Sequence, residues 1–145
     1  MAGFHDVYVL SDQRSKAEVM RFLDRFLPKR EEVADDYAVP HLSDRPEIVF
    51  AGADDLLTYL GEHSDRSHGI YWASRDAGDP RFAMVFPTTD GQVVYGLSVE
   101  RDAAEFLAEL KAHLGSPTGY VDFENPPPDN APDFVKMAAE LGGLS

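Results

Sequence analysis

The chain contains no cysteine. That excludes a disulfide framework, a thiolate zinc site and a thiol nucleophile, and it fits a reducing compartment. Long hydrophobic runs are also missing: no apolar stretch approaches the roughly 18 residues that a membrane span needs. The opening "MAGFHDVYVLSD" lacks a basic leader and carries Asp6 inside its apolar stretch, so it does not read as a secretion signal. The expectation is a cytoplasmic protein with no membrane association.

Positive charge is scarce as well. Thirteen lysines and arginines face 26 aspartates and glutamates, a net charge of −13 in 145 residues. The shortage is uneven. Residues 1–30 hold six basic and four acidic side chains, a balance of +2, and residues 31–145 carry a balance of −15. Such a surface repels phosphate backbones, which argues against nucleic-acid binding. It attracts basic partners and speeds their encounter. The same charge also keeps a small domain soluble, so charge speaks to association and not to fold.

Familiar catalytic signatures are absent too. There is no glycine-rich phosphate loop, no H-E-x-x-H, no EF-hand loop and no G-x-S-x-G elbow. No catalytic residue and no cofactor is assigned on this basis.

What is present is a clear alternation of strand and helix patterns. Residues 4–10, "FHDVYVL", are rich in strand formers. Ser15 and Glu18 then stand three apart, the spacing of a capping box, ahead of Val19, Phe22, Leu23, Phe26 and Leu27 at helical spacing. Pro28 stops that helix, predicted over 15–27. Residues 29–45 read as a long polar loop with a short strand at Tyr37–Val39, and 47–52 as a further strand. A helix over 54–63 has Leu56, Leu57 and Leu60 inward and Asp54 and Asp55 in its first turn, where the helix dipole favours acids.

Three strands follow, at about 69–75, 81–88 and 92–100. Asp90-Gly91 between the last two is a hairpin signal of the type I′ kind. A helix over 102–114 ends at Gly115, suited to a left-handed cap. A strand over 118–124 leads into "NPPPDNAP", a stiff connector. A last helix over 132–141 starts at Pro132. Antiparallel strands mixed with helices in this order predict a single α+β domain spanning 1–145. Its mostly antiparallel sheet should have five or six strands, include the three-stranded meander, and carry helices 15–27 and 102–114 on one face.

The meander is apolar on both sides. Ile70 and Trp72 alternate with Tyr71 and Ala73, and Val93, Tyr95, Leu97 and Val99 with Val94, Gly96 and Ser98. A sheet with one wet face shows cleaner polar alternation. The second face is therefore covered by a helix or loop, hidden in a homodimer, or offered to a ligand or partner. Ile70 and Trp72 are expected in the core, with Tyr71 or Tyr95 on the second face. Tyr71, Tyr95, Tyr120, Asp122 and Glu124 are the candidate partner- or ligand-binding residues.

Asp122 and Glu124 are two apart on a strand, share a face, and start about 7 Å apart. That spacing suits an acid–base pair, and it equally suits the wet side of a charged edge strand, with Val121 and Phe123 facing the core. "HSDRSH" places His63, Asp65 and His68 within six residues, a weak metal-ligand candidate that ordinary turn chemistry explains as well. His113, in a last helical turn, suits the negative helix end.

Two functions of different class follow. The first is a non-enzymatic acidic interaction module, of the inhibitor or immunity type, that binds a basic partner protein. Small acidic cytosolic bacterial proteins that neutralise a cognate toxin share this profile, an analogy of composition and not of motif. The second is a small-molecule-binding protein or small hydrolase with a pocket on the second face of the meander, using Asp122 and Glu124. A flat acidic surface favours the first, and a deep pocket with a perturbed carboxylate favours the second.

Overall fold

The structure is a computed structural model that describes residues 3–142. In chain order its elements are β1 (His5–Ser11), α1 (Lys16–Phe26), β2 (Arg30–Glu32), β3 (Tyr37–Val39), β4 (Ile48–Phe50) and α2 (Ala53–Glu62). Then come β5 (Ile70–Ser74), β6 (Phe82–Pro87), β7 (Val93–Val99), α3 (Ala103–Leu114), β8 (Gly119–Phe123) and α4 (Ala131–Gly142). Six strands make one antiparallel sheet in the order β2-β5-β6-β7-β1-β8, and β3 pairs with β4 in a separate hairpin. The predicted α+β class, the meander and all four helices are present, each helix within a residue or so of its expected ends.

The apolar strand near the N-terminus is central because it has two partners. β1 pairs with β7 on one side and β8 on the other. Its odd positions, Val7 and Val9, join Ile70, Trp72, Val85, Tyr95 and Leu97 on the first face. Against that face pack Val19, Phe22, Leu23 and Phe26 of α1, Leu56, Leu57 and Leu60 of α2, and Leu110 and Leu114 of α3. Each such side chain, taken fully out of water, contributes roughly 1.5–3 kcal/mol. Even positions of β1 define the second face. There Tyr8, Leu10, Met84, Val94 and Tyr120 meet Ala131 and Phe134 of α4. The two-sided apolar pattern of the meander thus reflects two cores, one under three helices and a smaller one under the last helix.

The segment between β8 and α4 crosses this second face. The Tyr8 hydroxyl donates to the Asn125 carbonyl oxygen at 2.7 Å. At the far end the Thr89 N–H donates to the Asp129 carbonyl, and the Ala131 N–H donates to Asp90 Oδ2 at 2.9 Å. The prolines therefore span from the end of β8 to the β6–β7 loop, and α4 returns along β8.

Arg14 ties the opposite side together. Its guanidinium donates to the carbonyls of Thr88 and Arg66 at 2.6 Å and of Ser64, Gln92 and His63 at 3.2 Å. A cation on the sequence's basic stretch is thus spent on backbone oxygens, joining the α2–β5 connection to the β6–β7 loop.

Several expectations are corrected. The loop predicted over 29–45 contains β2, whose Arg30, Glu31 and Glu32 pair with Ser74, Ala73 and Trp72. A polar three-residue edge strand has no periodicity to reveal it. The β6–β7 connection is a hairpin but not of type I′: only Gly91 has positive φ, +86°, and the loop closes through Thr88 and Gln92. Half of the capping box forms: Ser15 Oγ accepts from the Glu18 N–H, while the Glu18 carboxylate pairs with Arg21. On β8 the expected alternation holds, but burial is the reverse of the expectation at Tyr120 and Phe123. Tyr120 is buried because α4 covers its face, and Phe123 is 58% exposed because it runs past the core, its ring tilted against His5 with centroids 4.3 Å apart.

Candidate functional site

The second face is incompletely covered. α4 shields its half nearest the β6–β7 loop, and the other half opens into a cleft of about 400 Å³. That volume lies within the range of small-molecule sites, about 300–1,000 Å³. Sheet parity supplies its floor. Tyr71 pairs with Met84, Met84 with Gly96, Phe82 with Ser98, and Ser98 with Asp6, so these side chains share the second face in adjoining rows. Phe4 adds one wall, edge-on to Phe82 with ring centroids 5.9 Å apart. Glu124, Asn125 and Pro126 add the other.

Gly96 makes room for this floor. A Cβ there would lie 2.9 Å from the Tyr8 ring and 3.1 Å from the Met84 methyl. A side chain at this position would displace the tyrosine that anchors the proline segment. Glu124 turns the chain out of β8 with φ +49°, a left-handed conformation unusual for a non-glycine residue. The turn places its carboxyl at the rim of the cleft.

Asp6 is the group that sets the site's electrostatics. It is 7% exposed, on a central strand, and no lysine, arginine or histidine stands within ion-pair distance among the described residues. Burial raises its pKa above the ordinary aspartate value, the Ser98 and Tyr8 hydroxyls partly offset this, and Glu124 and Asp122 push it up again. Burial likewise raises the pKa of Tyr8 and Tyr71, which remain neutral phenols.

The five predicted site residues divide. Tyr71, 39% exposed, and Glu124 border the cleft. Asp122 faces Asp6 across the β1–β8 ladder but does not line the cleft; its Oδ1 accepts from the Phe123 N–H and the Asn125 amide. Tyr120 lies beneath α4 against Phe134, with ring centroids 5.0 Å apart. Tyr95 points to the first face, packs edge-on against Phe22 and donates to the Gln13 carbonyl. Asp6, Tyr8, Ser98, Phe82 and Asn125 were not foreseen. The available signal was Asp6 itself, an acid at an even position of an otherwise apolar central strand, with Tyr8 two residues on.

His63, Asp65 and His68 do not assemble a metal site. His63 Nδ1 bonds the Tyr59 carbonyl at 2.8 Å with its ring stacked on Tyr59. His68 is buried; Nε2 donates to the Ala38 carbonyl at 2.8 Å and Nδ1 accepts from the Gly69 N–H, so both nitrogens are used. No three metal-binding side chains converge anywhere among the described residues. His113 sits in the last turn of α3, edge-on to Phe26, and burial together with the nearby Arg25 and Arg21 lowers its pKa, against the pull of the helix end.

No helix of the described residues is long and apolar enough to cross a membrane. Set against protein-family models, curated proteins and solved structures, the chain has no match in any of the three.

Proposed function

We propose that this is a non-enzymatic acidic interaction module that binds a basic partner protein, as an inhibitor or immunity-type protein does. The observation that carries this reading is where the ion pairs are. Among the described residues all seven lie between residues 16 and 109, where they engage seven of the chain's 13 lysines and arginines. β8, the proline segment and α4 hold Asp122, Glu124, Asp129, Asp133 and Glu140 with only Lys136 among them, and none is ion-paired among the described residues. On the same stretch Phe123, Val135 and Leu141 are exposed. Unpaired carboxylates steer a basic partner and exposed apolar groups give it area to bury. The partner is a protein in this reading; the acidic surface argues against nucleic acid.

The test is retention of partners from the native cell by wild-type protein and by an Asp129→Asn, Asp133→Asn, Glu140→Gln variant. Support is a basic protein that wild type retains reciprocally, that raised salt releases, and that the variant loses. A partner set unchanged by salt and by the three substitutions overturns the reading.

One observation favours the rival, a small-molecule-binding protein: the cleft with its buried, shifted Asp6. A hydrolase using Asp122 and Glu124 as its pair is less well served, because only Glu124 reaches the cleft and Asp122 is engaged by its own turn.

A further inference from the structure

We propose that the second-face cleft is a receptor for one organic cation, the guanidinium of an arginine that the basic partner inserts between the aromatic wall and Asp6. This deepens the function proposed above and rests on its basic protein partner.

Four features of the cleft converge on that chemistry. First, its lining includes two carboxylates, Asp6 and Glu124, and no lysine, arginine or histidine. An anion is repelled, and a neutral ligand leaves the buried charge of Asp6 unanswered. Secondly, Asp6 lacks a cationic partner although it is 93% buried, and its nearest charged neighbours are further acids. A carboxylate so placed needs a counter-charge, a proton or hydrogen-bond donors, and the Ser98 and Tyr8 hydroxyls answer it only in part. An incoming cation supplies the first and removes the need for the second.

Thirdly, four aromatic residues, Phe4, Tyr8, Tyr71 and Phe82, make up most of the apolar lining beside Met84 and Pro126. Ring faces attract cations within about 6 Å of their centroids, most strongly where water is excluded. Fourthly, the polar groups are acceptors in excess. The two carboxylates can only accept, and the Ser98 hydroxyl beside them offers lone pairs and a single proton. A guanidinium brings five donors and no acceptor, is weakly hydrated, and stacks on aromatic rings. An ammonium offers three donors and loses more hydration. The site therefore favours arginine over lysine.

Another groove, along the open edge of β8 between Leu107 of α3 and Leu141 of α4, is apolar and carries Lys111. It has no carboxylate in its lining and so does not compete for a cation.

The experiment is a titration followed by backbone amide NMR, with acetyl-Gly-Arg-Gly-amide, its citrulline twin and methylguanidinium as probes. Wild type, Asp6→Asn and Tyr71→Ala are compared; Tyr71 is at the surface, so its loss leaves the core intact. The expected result is saturable shifts at Phe4, Ser98 and Asn125 with the arginine peptide. Affinity should fall at least tenfold for the citrulline twin and for Asp6→Asn, and several-fold for Tyr71→Ala. Equal binding of the citrulline twin, no effect of Asp6→Asn, or shifts confined to α4 would overturn the proposal. Binding of methylguanidinium with exclusion of the peptide would overturn the partner side chain as the source of the cation. A salt-sensitive basic partner that still binds Asp6→Asn at full strength would overturn the cleft while leaving the acidic module standing. Saturable arginine binding in the cleft, with no partner lost on neutralising α4, would do the opposite.

Discussion

The Tyr8 hydroxyl and the Asn125 carbonyl, 117 residues apart in the chain, share a 2.7 Å hydrogen bond that holds the proline segment over the second face. Tyr8 is buried at the centre of the smaller core, edge-on to both Tyr120 and Phe86. Removing only the hydroxyl tests the bond without opening a cavity. Tyr8→Phe is expected to cost about 1 kcal/mol in urea unfolding, and to speed hydrogen exchange around Asn125 more than in β1. Because burial moves the Tyr8 pKa upward, the donor stays protonated and the difference should not vary with pH across the neutral range.

Asp6 gives the opposite pH behaviour. Its pKa is raised in the folded chain, chiefly by burial. The folded state then holds its proton more tightly than the unfolded state, and protonation favours folding. Stability from this group is fully present below the ordinary aspartate value and is lost as pH climbs from there through the folded pKa. Asp6→Asn, which keeps the shape and removes the charge, should therefore raise the melting temperature at pH 7. Its advantage should shrink as pH falls towards 4 or below. A variant that is less stable than wild type at pH 7 and gains on it in acid would contradict this account of Asp6.

The same two residues show what the sequence could and could not reveal. Helix positions followed from periodicity, because a helix carries one core-facing stripe, as at Val19, Phe22, Leu23 and Phe26 of α1. The face on which Tyr71 and Tyr95 lie followed only once the ladder was known: Tyr95 sits opposite Val9 on β1 and Val85 on β6, both first-face residues. A strand's own alternation says that two sets exist, not which one three helices will cover. The second face was anticipated as special, but its cleft is built from β1, β5, β6, β7 and the proline segment together. Asp6 and Asn125 meet there through topology, a relation with no local signature. β2 was lost for a different reason, since "REE" draws its strand character wholly from the ladder with β5.

Gly119 and Gly61 make a paired test of close packing. A Cβ on Gly119 would lie 2.5 Å from the Tyr8 carbonyl oxygen and 2.9 Å from a Val9 methyl. The first of these is backbone in the central strand and cannot turn aside. Gly119→Ala is expected to destabilise by about 1–3 kcal/mol, the usual cost of overpacking, with β8 and α4 loosened first in hydrogen exchange. Gly61, near the end of α2, has open space around its Cβ position. Gly61→Ala should instead stabilise by about 0.5–1 kcal/mol through helix propensity and a less free unfolded chain.

Arg14 is the side chain on which the end of the sheet away from the cleft depends. Five carbonyl oxygens from two separate loops converge on its two terminal nitrogens, and although desolvation lowers its pKa, a guanidinium keeps its charge in a folded protein. No other side chain offers that fork. Arg14→Met keeps the length and the apolar stem but leaves the oxygens of Thr88, Arg66 and their neighbours without this donor. A loss of about 2 kcal/mol or more is expected, since each unsatisfied acceptor out of water costs roughly 1–3 kcal/mol and the half-buried Thr88 and Arg66 oxygens lose their donor, while those of His63 and Gln92 keep backbone N–H partners. Arg14→Lys should recover only part of it, because an ammonium is a point donor and cannot span two loops. Lys16→Ala is the control: its pair with Asp54, at 3.6 Å on the surface, should be worth under about 1 kcal/mol. Chemical denaturation of the four proteins at one pH decides the matter, and near-equal midpoints for Arg14→Met and Lys16→Ala would show that the carbonyl cradle is not what holds this end closed.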